Sequence, residues 1–153
     1  MTRVNPHDLP PVPEWVDLHA VALSGRLIEE VRATFAAEDW GGLRQSHFRF
    51  LSYVPPGGIS VTELAVLLGM TKQAAGQFVT QMEGTGHLET RTDPDDLRVR
   101  LVARTALGDR TVKAAVARIR RIERAWARRV GAERYEQFRE VLTDIALPGG
   151  RAG

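Results

Sequence analysis

Two runs of helical apolar periodicity are separated by only three residues, Gly69-Met70-Thr71. A link this short that contains a glycine turns one helix steeply across the other, which is a helix-turn-helix. The spacing supports both ends of the joint. Ser60 stands three residues ahead of Glu63, the interval at which each side chain takes up a free amide of a helix start. Leu64, Leu67 and Leu68 are expected on the buried side of that helix. Gly69 tolerates the positive φ that ends it, and Thr71 can cap the next, which runs from Lys72 to about Glu83.

Around this joint the chain reads as mainly α with a small β-hairpin. Residues 1–13 hold four of the eight prolines and are expected to form a flexible tail. Val16, Ala20, Leu23, Leu27, Val31 and Phe35 then recur at helical spacing, giving a first helix over about residues 14–38 that Gly41-Gly42 stops. Leu43 to Val54 gives a second, with Phe48, Leu51 and Val54 on one side. After the helix-turn-helix, residues 87–91 and 98–105 read as strands joined by Asp93-Pro94-Asp95-Asp96, a turn by composition. A long helix follows Gly108, with Val112, Val116, Ile119, Ile122, Trp126 and Val130 on one face. Tyr135, Phe138, Leu142 and Ile145 then make a heptad-like seam before Pro148.

Composition narrows the chemistry. The 153 residues are 43% apolar and 26% charged, enough for one domain with a core of its own. With no cysteine, thiol catalysis and thiolate zinc sites are excluded. No phosphate loop, dinucleotide fingerprint, nucleophile elbow or metal-spaced histidine pair is present, so no catalytic residue, cofactor or metal is expected. Asp93, Asp95 and Asp96 lack the longer ligand series and closing glutamate of a calcium loop. His7, His19, His47 and His87 read as ordinary surface or satisfied positions, and Trp126, Tyr135 and Phe138 as packing groups. Neither a membrane span nor a secretion signal is evident, and a cytoplasmic protein is expected.

The charge is uneven. The net +2 divides into −4 over residues 1–40, +1 over 41–112 and +5 over 113–153. Nineteen of the 21 basic residues are arginine, which suits phosphate and base edges but equally follows from codon bias. On the second helix of the joint, Ala74, Phe78 and Met82 are expected inward, leaving Lys72, Gln73, Gly76, Gln77 and Thr80 outward. Glutamine can bond adenine bidentately, lysine can reach guanine or phosphate, and Thr71 can donate to a phosphate oxygen. A soluble helix face also favours lysine and glutamine, but no acid falls between Lys72 and Met82. Gly76 either permits close approach of a partner backbone or has no role. Arg91, Arg98, Arg100 and Arg104 lie on or beside the hairpin, where an arginine can enter a minor groove. Asp96 is expected to orient Arg98. Arg44, His47 and His19 are either a candidate anion pocket or ordinary surface groups.

The run from Ser60 to Gly108, with "ELA" at Glu63–Ala65, "LGMT" at Leu68–Thr71 and "DPDDLR" at Asp93–Arg98, resembles the winged-helix core of MarR-family transcriptional regulators. "HFRFL" at His47–Leu51 is similar to the family's second helix. The resemblance implies a winged helix-turn-helix over residues 43–108, flanked by dimerisation helices over 14–42 and 109–147, with a second flexible tail at 148–153. It implies a homodimer whose first and last helices interleave, binding double-stranded DNA at a pseudo-palindromic operator. The DNA-binding residues would be Thr71, Lys72, Gln73, Gln77, Thr80 and Arg98, with Asp96 supporting the wing. It further implies a repressor that a small aromatic or anionic effector releases. Arg104-Thr105 stands where the family's wing closes on Leu-Thr. The alternative is a winged-helix protein-interaction module without DNA binding.

Overall fold

The computed structural model describes residues 10–36 and 39–150. Their order is α1 (Ala20–Ala36), α2 (Gln45–Tyr53), β1 (Ile59–Ser60), α3 (Val61–Leu68), α4 (Lys72–Gly84), β2 (Leu88–Thr92), β3 (Arg100–Arg104), α5 (Ala106–Val130) and α6 (Ala132–Ala146). The chain divides into two compact units, residues 1–115 and 116–153. Most of the expected N-terminal tail, with His7, the end assigned to the first helix at Glu38, and the last three residues lie outside the described segments.

The helix-turn-helix forms as its caps require. Ser60 Oγ accepts from the Glu63 amide at 3.2 Å while Glu63 Oε2 accepts from the Ser60 amide at 3.2 Å. Gly69 sits at φ 65°, the left-handed region that a side chain would strain. Thr71 Oγ1 accepts from the Ala74 amide at 3.1 Å and starts α4. Beneath them, Phe50, Leu51 and Val54 of α2 pack with Leu64, Ala65 and Leu68, with Ala75, Val79 and Met82, and with Leu88 and Val102 of the sheet.

Several expectations need correction. Leu67 is 56% exposed, and Ala65 takes its place in the core. At 100° per residue Leu64, Leu68 and Ala65 share one arc, and Leu67 falls outside it. The buried stripe of α4 is Ala75, Val79 and Met82, not Ala74, Phe78 and Met82, so the face is rolled by about one residue. Ala74 and Phe78 are half-buried on its flank. The first helix begins at Ala20, because the ring Nδ1 of His19 accepts from the Ala22 amide at 3.1 Å and caps it.

The hairpin gains a third strand. β1 pairs antiparallel with β3 through Ile59 and Val102, giving the sheet order β1-β3-β2. Thr105, not Gly108, opens α5: its hydroxyl accepts from the Gly108 amide at 3.1 Å and donates to Gly86 O at 2.6 Å. Gly108 therefore lies within the helix, pressed against the backbone carbonyl of His87. Aromatic rings join α1 to α2, with Trp40 stacked on Phe35 at 5.2 Å and edge-on to Phe48 at 4.9 Å. The Trp40 indole donates to Phe35 O at 3.0 Å.

In the second unit Ile122 is buried, whereas Val116, Ile119 and Val130 of the expected α5 face are each about two-fifths exposed. On α6, Phe138, Val141, Leu142 and Ile145 are all exposed. Burial and the neighbouring Glu123 push the Tyr135 phenol up to about 12.

Three outcomes follow for stability. Gly108→Ala puts a methyl group into the His87 carbonyl and should cost about 1–3 kcal/mol or more in urea unfolding. Gly76→Ala, with open space around the new methyl, should gain up to about 1 kcal/mol. His87 is 2% exposed, and burial holds its pKa below the ordinary 6.5, with His47 adding to the depression. The unfolded chain then binds a proton that the folded chain refuses. Stability from this group is complete above pH 6.5 and declines as pH falls below it, which unfolding midpoints measured between pH 7.5 and 5.5 would display.

Candidate nucleic-acid interface

α4 presents a polar face because its apolar side is fully used underneath. Lys72, Gln73, Gln77 and Thr80 are exposed, as expected, and Gly76 is half-buried. Among the described residues the side chains of Lys72, Gln73 and Gln77 have no intramolecular partner. Thr71 Oγ1 is used as an acceptor, so its hydroxyl hydrogen remains available to donate outward. Thr80 is the reverse case: its hydroxyl donates to Gly76 O at 3.1 Å, leaving it an acceptor.

The hairpin sorts its four arginines. Arg91 donates to Gly57 O at 2.7 Å, tying β2 to the loop before β1. Arg100 donates to Thr92 Oγ1 at 3.3 Å, across the strand pair. Arg104 meets Asp109 at 2.8 Å, joining β3 to the first turn of α5. Arg98 is exposed at the wing turn, and among the described residues its guanidinium has no partner.

The aspartates build the turn itself. Asp93 Oδ1 accepts from the Asp95 amide at 2.9 Å, and Asp96 Oδ1 accepts from the Arg98 amide at 3.0 Å. Further bonds from the Asp93 amide to Val99 O and from the Val99 amide to Asp96 O close the loop. Asp96 thus holds the backbone from which Arg98 projects, rather than its guanidinium. Leu97 beside it is 80% exposed.

His47 was missed by sequence reasoning as a structural group of this region. Its Nδ1 accepts from the Arg44 amide at 2.8 Å, and its Nε2 bonds Gln81 Oε1 of α4 at 3.0 Å. The Arg44-x-x-His47 spacing repeats that of Ser60-x-x-Glu63, and was the signal available.

A cavity of about 380 Å³ opens among Trp40, Thr85, His87, Leu107, Arg110 and Thr111. Arg44, His47 and His19 do not line it. Asp39, Thr85, His87, Arg110 and Thr111 supply its polar groups, and none carried a sequence signal that set it apart.

Among the described residues no cluster of His, Asp or Glu could hold a metal ion, and no helix is long and apolar enough to cross a membrane.

No curated protein matches the chain. Solved structures do. CouR from Rhodococcus jostii RHA1, bound to p-coumaroyl-CoA, is 22% identical with a TM-score of 0.64, over 86% of this chain and 92% of its own. PcaV from Streptomyces coelicolor, in complex with its natural ligand, is 20% identical at a TM-score of 0.63, over 86% and 95%. The S. aureus MepR–DNA complex is 17% identical at a TM-score of 0.66, over 85% and 98%. At these identities the likeness speaks for the fold. The MarR family sequence profile matches residues 42–98, the segment that holds α2, the helix-turn-helix and the wing up to Arg98. With the capped helix pair and the three-stranded sheet, the chain carries a winged-helix fold whose residues 42–98 match the MarR family.

Proposed function

We propose that the protein is a homodimeric, sequence-specific DNA-binding transcriptional regulator, a repressor acting at a pseudo-palindromic operator. One observation carries the reading: between Lys72 and Met82 the exposed face of α4 holds no acid and leaves the Lys72, Gln73 and Gln77 side chains unengaged, while beside it in sequence the wing engages every arginine internally except Arg98. Lys72 and Thr71 suit phosphate contacts, Gln73 and Gln77 suit base edges, and Thr80 can accept from a base or water. Arg98 suits a minor groove, where negative potential is focused, and Asp96 fixes its backbone. That the MepR structure is a DNA complex supports the same use of the fold.

Exposed Val21, Leu23 and Ile28 on α1, and Phe138, Leu142 and Ile145 on α6, are surfaces that a second copy would cover. The expected dimerisation segments, 14–42 and 109–147, include them. Two recognition helices in successive major grooves would then stand about 34 Å apart.

Release by a small aromatic or anionic ligand belongs to the proposal as well. The CouR structure holds p-coumaroyl-CoA and the PcaV structure its natural ligand, and the cavity offers Trp40 and Leu107 as walls with Arg110 as a cation beside Asp39.

Fluorescence anisotropy on a duplex selected from random DNA tests the first part. With six to ten phosphates neutralised, affinity should fall by about 10³–10⁵ between about 50 and about 200 mM salt. A flat response would remove the DNA-binding reading. Gln77→Ala should cost about 1–3 kcal/mol and relax preference at one base position, whereas Lys72→Ala should weaken all sequences alike and flatten the salt slope. Arg98→Ala should lose most on duplexes with A·T-rich flanks. For the effector, a panel of aromatic acids is titrated into the preformed complex. At least one should release the DNA, and Arg110→Ala should raise the concentration needed about tenfold. Retention of DNA across the panel would mark a constitutive binder.

A further inference from the structure

A single buried ring ties the start of α2 to the recognition helix. In a capping box the third helical residue is ordinarily Glu or Gln. In α2 it is His47, 5% exposed and edge-on to Phe78 of α4 at 5.4 Å. The Arg44 amide can only donate, so Nδ1, which accepts from it at 2.8 Å, carries no proton. The proton is therefore on Nε2, which donates to Gln81 Oε1 at 3.0 Å. Gln81 follows Gln77 by one helical turn. The apolar contacts beneath α4 are non-directional, whereas this bond defines where the helix sits along and about its axis relative to α2.

We infer that His47 is a positioning residue for the recognition helix, and that DNA affinity falls when its Nδ1 takes up a proton. The inference rests on the reading that α4 contacts DNA. In the imidazolium both nitrogens are donors, so the Arg44 amide loses its acceptor and the α2 cap opens. The hydrogen-bond and ring partners of His47 are the Arg44 backbone, Gln81 and Phe78, none of which carries a charge. The titratable neighbour is His87, ahead of β2, whose own charge would oppose it. Beside His87, the cavity brings in Asp39 and Arg110. The direction is diagnostic, because adding positive charge to a DNA-binding protein otherwise tightens binding.

The test uses the full chain and a duplex that the wild type selects from random DNA at about pH 7.5, with affinity and helical circular dichroism read at about pH 7.5 and about pH 5.5. The wild type should remain folded and weaken about fivefold on the acid side, the worth of the one hydrogen bond lost at Nδ1, since Nε2 still donates to Gln81 Oε1. His47→Gln supplies one acceptor and one donor that do not titrate, and should keep its neutral-pH affinity and change less than about twofold. Gln81→Met leaves the cap but removes the link, and should bind about fivefold more weakly at about pH 7.5 with the salt slope unchanged. Wild-type affinity that holds or tightens at low pH overturns the inference. So does an equal loss in His47→Gln, or a loss that follows the helical signal. If His47→Gln does not fold, undiminished affinity in Gln81→Met overturns it. Failure to select any duplex at about pH 7.5 is a different result and removes the DNA-binding reading itself.

Discussion

The position of α4 depends first on a joint three residues long. Gly69 turns the chain through the left-handed region to close α3, and Thr71 takes an amide of the next helix two residues later. So short a joint leaves little freedom of angle between the helices. The apolar faces of α3 and α4 must then be buried by a common neighbour, which α2 supplies through Phe50, Leu51 and Val54. Phe50 stacks on Phe78 at 5.1 Å, and His47 bonds Gln81 a turn away. Capped at its start, packed beneath and held at its flank, α4 keeps Lys72, Gln73 and Gln77 unengaged because the holding is done elsewhere.

How much of this was legible in the sequence depended on whether the signal was local. Caps are local, and Ser60-Glu63, Gly69 and Thr71 behave as their spacing indicates. Strand β1 is two residues long, too short to show alternation, and exists only because β3 is beside it. The face of α4 was misplaced by one residue because Ala74 and Ala75 are equivalent to a periodicity argument, and only packing against α2 and the sheet chooses between them. Leu67 reads as core by type, yet an eight-residue helix has a single buried arc and Ala65 occupies it. Gly108 reads in the sequence as the residue before the long helix, yet it lies within it. Its actual reason is close approach of α5 to the His87 carbonyl, a tertiary fact with no sequence trace.

The candidate site follows the same division. Lys72, Gln73, Gln77 and Thr80 could be assigned outward because an amphipathic helix declares both faces at once. The histidines could not. Imidazole is small, amphipathic and able to accept or donate, so residue type alone does not separate a surface group from a cap. His19 proves to cap α1 and His47 to cap α2, each through Nδ1. Both tasks use the neutral ring, which differs from the hydroxyls at Ser60 and Thr71 in being titratable.

Net charge says little about where a polyanion could be met. The winged-helix segment is nearly balanced, and three of its hairpin arginines are bound to a carbonyl, a hydroxyl and a carboxylate within the fold. Those bonds fix β2 to the preceding loop, β3 to β2 and β3 to α5, so they shape the wing rather than reach from it. Asp93 and Asp96 likewise each spend one oxygen on a backbone amide of the turn, which reduces the repulsion they would otherwise exert on phosphate. What remains outward at the tip is the Arg98 guanidinium on a backbone closed by four hydrogen bonds. A chain of +2 can therefore present a defined cation beside a hydrogen-bonding helix face, because the other hairpin arginines are held by partners within the fold.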